Sequence, residues 1–180
     1  EYSLAVAMDQ GADIILSCGA TQTNHGRCLA ALCAQLGLHC HLFLLGDERD
    51  QQVGNHFLIR VLGAEITYLD LRGYMKRTRH LEGCAEDYRN HGRTPFVIPT
   101  GASDGLGSLG YFAAAKEIAD QEQELGVSFD HVVVAVGSGG TVTGLAAGKS
   151  HVGATWQIHG VTVCDDKSYF EKEALRIIKE

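Results

Sequence analysis

Apolar positions along the chain recur with two different periods, and the periods alternate. Asp13-Ile14-Ile15-Leu16-Ser17 is a short apolar run, followed by a polar turn over Gly19 to Thr23. Between Asn24 and Leu36, the residues Leu29, Leu32, Cys33 and Leu36 fall at i, i+3, i+4 and i+7, which predicts a helix. Thr23 suits its N-cap and Gly37 its stop. The same reading predicts a strand over His39 to Leu45, a helix over Asn55 to Leu62, a strand over Glu65 to Leu69 and a charged helix from Met75 to Asn90.

A second series is expected to open with the strand Phe96-Val97-Ile98. A glycine-rich loop over Gly101 to Gly107 follows, leading into a helix that carries Tyr111, Ala114, Ala115 and Ile118. His131 to Val136 is the most continuous β-branched run in the chain, and Gly137-Ser138-Gly139-Gly140-Thr141 bounds it. A short Ala/Gly helix, a strand over Ile158 to Val163 and a terminal helix over Tyr169 to Glu180 complete the pattern. Strands alternating with helices imply an α/β architecture whose parallel sheets are covered on both faces. Turn chemistry and polarity cluster at His91-Gly92-Arg93-Thr94-Pro95, the expected boundary between the two series.

Composition narrows the function classes. The 180 residues are 45% hydrophobic and 21% charged, which is globular usage. An acidic excess, net charge −7, gives no support to a binder of nucleic-acid phosphates. No apolar run approaches the roughly 18 residues that span a bilayer. The first residues carry no basic leader, and both ends read as cuts through a longer protein. Cys18, Cys28, Cys33, Cys40, Cys84 and Cys164 contain no CxxC spacing and are expected to be reduced structural thiols of a cytoplasmic protein. His39-Cys40-His41 has ligand-like composition, but on a strand the cysteine and the two histidines diverge, so no metal site is expected.

Ligands of open parallel sheets bind at the carboxyl ends of the strands. Three loops take that position: Cys18 to His25, Thr100 to Ser108, and Gly137 to Thr141. The last brings backbone N–H groups to a helix start, where Ser138 and Thr141 add hydroxyls, and it reads either as a phosphate cradle or as a tight βα turn. It is neither a Walker A loop nor a GxGxxG fingerprint. Thr21-Gln22-Thr23-Asn24-His25 could hold a carboxylate at another helix start, with His25 as acid/base or donor; equally, Thr23 could merely cap and His25 be solvated.

Taken together, the three loops carry a resemblance. Asn24-His25 after an apolar strand and a Gly-Ala turn, then Arg27 and an Ala-rich helix, resembles the Ser-Asn-His loop of the D-cysteine desulfhydrase / 1-aminocyclopropane-1-carboxylate deaminase family. Val97 to Ser103 followed by Leu109-Gly110-Tyr111 resembles its second signature, and Val133 to Gly144 its cofactor phosphate loop. The resemblance covers nearly the whole chain, in family order. It implies an interior fragment of a fold-type-II pyridoxal-phosphate enzyme (tryptophan synthase beta-like), with two three-layer αβα domains and the cofactor, pyridoxal 5′-phosphate, between them. Residues 1–12 would end a helix of the large domain, 13–95 would form the small domain, and 96–180 would be part of the large one.

Carried over by position, Asn24 would bond the pyridine 3′-oxygen, and Gly137, Ser138, Gly139, Gly140 and Thr141 would hold the phosphate. Thr23 stands where the family has a substrate-contacting Ser, and His25 matches the desulfhydrase branch, where the deaminases have Gln. Thr keeps the hydroxyl but restricts χ1, which weakens a nucleophilic role. The family's Schiff-base lysine lies in a Gly-Asn-Lys context, which none of Lys76, Lys116, Lys149, Lys167, Lys172 or Lys179 shares. The resemblance thus implies a homodimeric lyase acting on a small amino acid, with neither nucleic acid nor membrane as partner. D-Cysteine, giving pyruvate, sulfide and ammonia, comes first, then L-cysteate or 1-aminocyclopropane-1-carboxylate. The fragment itself would be inactive without that lysine. From other classes, a non-catalytic α/β module binding a phosphorylated small molecule stays open, and a nicotinamide-binding domain is disfavoured by the missing fingerprint.

Overall fold

In the computed structural model, which describes residues 1–50 and 52–180, the apolar run after Ala12 becomes strand β1 (Ile14–Ala20), buried along all but its last residue. It follows helix α1 (Tyr2–Asp9) and leads into α2 (Asn24–Leu36), whose ends are those predicted. Thr23 Oγ1 accepts the Gly26 N–H at 3.1 Å, and Gly37 turns the chain out of the helix at φ 71°. Then come β2 (His39–Leu45), α3 (Gly54–Val61), β3 (Glu65–Leu69), the short α4 (Leu71–Tyr74), α5 (Arg77–Asn90) and β4 (Pro95–Val97). The expected single helix from Met75 starts earlier and in two pieces, because Asp70 caps the Gly73 N–H and opens a turn of its own.

All four strands are parallel, in the order β3-β2-β1-β4. Alternate residues of β1 face opposite layers. Ile14, Leu16 and Cys18 pack with Phe43, Leu69 and the α5 residues Leu81 and Ala85, whereas Gly26, Leu29 and Cys33 of α2 are buried on the other side. The His39–His41 segment divides in the same way. The Cys40 and Cys33 thiols are hydrogen-bonded, while His39 and His41 turn to Glu65 at 2.9 and 3.7 Å. All six cysteines are free.

Two expectations differ from the structure here. The strand β1 runs on through Gly19 and Ala20, which pair with Leu44 and Leu45, where a polar turn was expected. And Phe96-Val97 does not open a second series: β4 pairs with β1, Ile15 opposite Phe96 and Leu16 opposite Val97, with Pro95 tolerated as the first residue of a short edge strand. The chain divides into one unit of Leu4–Gly101 and another of Ala102–Glu180 with Glu1–Ser3.

The second unit holds α6 (Gly105–Leu125), β5 (His131–Val136), α7 (Gly140–Val152), β6 (Gln157–Thr162) and α8 (Lys167–Lys179). Its two strands are parallel, His131 opposite Gln157 through Val136 opposite Thr162. Ala115, Leu145 and Trp156 form its core, with Ile118, Val132, Val134 and Ile158 packed against them. The helices α6 and α7 meet where Gly144 and Gly148 lack side chains: a Cβ on Gly144 would lie 2.3 Å from the Ser108 carbonyl oxygen. No helix among the described residues is long and apolar enough to cross a membrane.

Candidate functional site

The order β3-β2-β1-β4 places later strands on both sides of β1, so the first unit's sheet has its topological switch point between β1 and β4. Ligand crevices of open α/β sheets form at the carboxyl ends of the strands at that point. Ser17 and Cys18 sit there, on opposite faces. Ser17 Oγ lies 2.8 Å from both His25 Nε2 and the Ile98 carbonyl oxygen, and Cys18 Sγ is 2.9 Å from Thr100 Oγ1. Arg77, stacked over Tyr74 with its guanidinium carbon 4.9 Å from the ring centre, donates to the same Thr100 hydroxyl at 3.1 Å. Burial raises the Cys18 thiol above its ordinary range.

Thr23, Asn24 and His25 form the first turn of α2, directly after this edge. Thr23 Oγ1 is the cap acceptor, and its side chain fills the space left by two glycines: a Cβ on Gly19 would lie 2.8 Å from Thr23 Cβ, and one on Gly26 2.4 Å from Cγ2. With the Gly26 N–H engaged, the Asn24 and His25 amides at the helix start have no partner among the described residues. His25 is mostly buried rather than solvated, and burial lowers its pKa to about 4, so its ring is neutral at pH 7.

Asn24 is held from α3. Asn55 Nδ2 donates to the Gln22 carbonyl oxygen and to Asn24 Oδ1, both at 2.9 Å, while the Asn55 N–H binds Gln22 Oε1 at 3.0 Å. A carbonyl can only accept, so the Gln22 contact settles which end of the Asn55 amide faces this way. Asn24 therefore turns Oδ1 toward Asn55, and its Nδ2 has no partner among the described residues. An Nδ2 presented in this way suits a ligand oxygen that accepts.

In the second unit Gly137, Ser138, Gly139, Gly140 and Thr141 link β5 to α7. Gly139, the N-cap, has φ 93° and makes no side-chain cap bond. Ser103 Oγ accepts the Gly140 N–H at 3.2 Å and donates to Ser138 Oγ at 2.7 Å. The Ser138 hydrogen is thereby left for another acceptor, and the Thr141 and Val142 amides at the helix start have no partner among the described residues. A Cβ on Gly140 would fall 2.8 Å from Ser103 Oγ, so the close approach is available to glycine alone. Arg176 of α8 steadies the turn by donating to the Ser103 carbonyl oxygen at 2.7 Å. Open amides, a hydroxyl donor and a helix start fit a phosphate ester.

Ser17 and Asn55 were not singled out from sequence, and Ser103 entered only as part of a candidate loop, with no role of its own. Each works through a partner 31 to 81 residues away, and nothing local marks a buried serine or a helix-start asparagine as a polarity setter. Among the described residues, no three His, Cys, Asp or Glu side chains converge as a metal site.

The first unit offers a polar helix start at its switch point and the second a phosphate-fitting βα turn, features compatible with the pyridoxal-phosphate enzymes. The chain belongs to that family: the model of the pyridoxal-phosphate dependent enzymes matches residues 2–175, and pyridoxal 5′-phosphate is the cofactor. Over 179 residues it is 36% identical to the mitochondrial bifunctional D-cysteine desulfhydrase/1-aminocyclopropane-1-carboxylate deaminase of Arabidopsis thaliana, covering 94% of this chain and 45% of that protein. It is 39% identical over 169 residues to the D-cysteine desulfhydrase of Serratia proteamaculans, covering 91% and 50% respectively. The crystal structure of a homologue of 1-aminocyclopropane-1-carboxylate deaminase superposes with a TM-score of 0.86 at 33% identity, over 99% of this chain and 55% of that one. The fold is that of the fold-type-II enzymes, and the chain spans about half the length of the curated relatives it matches.

Proposed function

We propose that the protein is a pyridoxal-phosphate-dependent lyase acting on a small amino acid, with D-cysteine as the first candidate substrate. The names of the relatives support the class, and the Gly137–Thr141 turn, with open Thr141 and Val142 amides and the Ser138 hydroxyl, is the observation that carries the reading. When bound, the cofactor supplies an electron sink for carbanion chemistry at the substrate α-carbon. Gly137, Ser138, Gly139, Gly140 and Thr141 hold its phosphate, and Asn24 donates from Nδ2 to its ring oxygen.

Thr23 and the open Asn24 and His25 amides bind the substrate carboxylate at the positive end of α2. His25, neutral and mostly buried, orients the substrate or its leaving group. The preference for desulfuration over ring opening rests on Thr23. Its Oγ1 is engaged as the helix cap and its methyl is wedged beside Gly26, so it is suited to donate its hydroxyl hydrogen and poorly placed to attack. No lysine of the chain stands in a Gly-Asn-Lys context, and we place the Schiff-base lysine upstream of Glu1, in a longer protein.

The test is the full-length protein with D- and L-cysteine, L-cysteate and 1-aminocyclopropane-1-carboxylate, following ammonia with all four, pyruvate with sulfide from the cysteines, pyruvate with sulfite from cysteate, and 2-oxobutyrate from the cyclopropane. The highest kcat/KM is expected with D-cysteine. A protein that binds the cofactor but releases no product from any of the four refutes the lyase assignment.

A further inference from the structure

The Ser17–His25 contact determines more than position. Ser17 Oγ has one hydrogen and two neighbours at 2.8 Å, the Ile98 carbonyl oxygen and His25 Nε2. Ile98 is 2% exposed, and among the described residues its carbonyl oxygen has the Ser17 hydroxyl as its donor. If the hydrogen went to His25 instead, that buried carbonyl would be left without a partner, the more costly arrangement. The hydrogen belongs to Ile98, and Ser17 Oγ must then accept from the ring.

We propose that Ser17 is a positioning residue that holds His25 as the Nε2–H tautomer and leaves Nδ1 bare, as the proton or hydrogen-bond acceptor at the carboxyl end of β1. The neutral ring supports this, since burial is the cause of its lowered pKa. A bare Nδ1 accepts a hydrogen bond from an ammonium or thiol group of a ligand and repels a carboxylate oxygen. The carboxylate is thereby directed to Thr23 and the helix amides, and the protonated end of the amino acid or its sulfur to His25. The inference rests on the reading of the Thr23–His25 turn as a substrate site, and it assigns to Ser17 a role no local pattern suggests.

The test is nitrogen-15 NMR of the full-length protein labelled at histidine, with the His25 signals identified by their loss in His25→Gln. At pH 7–8 the proton is expected on Nε2, shielded from exchange with water, with Nδ1 unprotonated. In Ser17→Ala the exchange-protected Nε2 proton is expected to disappear, with kcat falling at least tenfold and KM changing less; Ser17→Thr, which keeps the hydroxyl, restores both. A proton on Nδ1 in the wild type, or an unchanged Nε2 proton in Ser17→Ala, overturns the proposal, and the wild-type spectrum decides even if Ser17→Ala does not fold. The two readings fail separately. An active lyase with Nδ1–H removes the role of Ser17 alone, whereas Nε2–H in a protein without lyase activity removes the substrate assignment alone.

Discussion

Replacing Gly144 with alanine tests whether the second unit is held together by the close meeting of α6 and α7. The added Cβ would lie 2.3 Å from the Ser108 carbonyl oxygen, 2.8 Å from Tyr111 Cβ and 3.1 Å from the Phe112 nitrogen. Two of these neighbours are backbone, which cannot rotate away, so the helices must part by roughly 1 Å to restore normal contact. Overpacking of this kind costs about 1–3 kcal/mol, and the gain from replacing a helical glycine returns about 0.5–1 kcal/mol. The two ranges combine to a net loss of about 0–2.5 kcal/mol, and a contact this close to a backbone oxygen puts the site in the upper half, about 1–2.5 kcal/mol. Gly110→Ala is the matched control. It lies in the same unit, in α6, exposed and with nothing within 4 Å of the added Cβ, so there the same change should stabilise by about 0.5–1 kcal/mol. Trp156 is the chain's one tryptophan and packs in the core with Leu145 and Ala115, so its fluorescence in a urea titration reports on this unit. Equal stability of Gly144→Ala and wild type, or a loss in Gly110→Ala as large as in Gly144→Ala, would refute the packing argument.

Two further predictions concern the first unit. His25 has a folded pKa of about 4, below the ordinary value of 6.5, so its contribution to stability is fully present above pH 6.5 and is lost as the pH falls toward 4. That loss amounts to roughly 3 kcal/mol; denaturant titrations across this range should show it in the wild type and not in His25→Asn, and parallel pH profiles would contradict the buried neutral ring. Asn55→Ala removes the side-chain bond to Asn24 Oδ1 and the bond to the Gln22 carbonyl oxygen that sets its polarity. Cofactor affinity of the full-length protein should then fall between about threefold and tenfold, measured by titration of the visible absorbance, and unchanged affinity would mean that Asn24 does not use its Nδ2.

Much of the architecture was legible in the sequence because local chemistry agrees with tertiary packing. The helix α2 carries its apolar face, its Thr23 cap and its Gly37 stop between residues 23 and 37, and β5 is a valine-rich run ending at a glycine turn. The end of β1 was hidden because Ser17-Cys18-Gly19-Ala20 reads as polar or small, and only the ladder with β2 and the need to seat Thr23 against Gly19 make it strand. The first sheet extends to β4 for a similar reason: Phe96-Val97 looks the same whether it starts one sheet or finishes another. At the candidate site, Thr23 to His25 and Gly137 to Thr141 could be picked out as polar helix starts. The hydrogen-bond polarity that makes them useful could not, since it is set by the Gln22 and Ile98 carbonyls and by Ser103 through contacts that exist only in the folded chain.

The most direct measurement is the affinity of the full-length protein for pyridoxal 5′-phosphate relative to pyridoxal, in the wild type and in Ser138→Ala/Thr141→Val. If this turn holds the phosphate, the double variant loses two donors to a charged group and the preference for the phosphorylated compound drops by at least about tenfold, while pyridoxal binding stays within about twofold. Equal weakening of both compounds, or no weakening of either, would contradict the assignment.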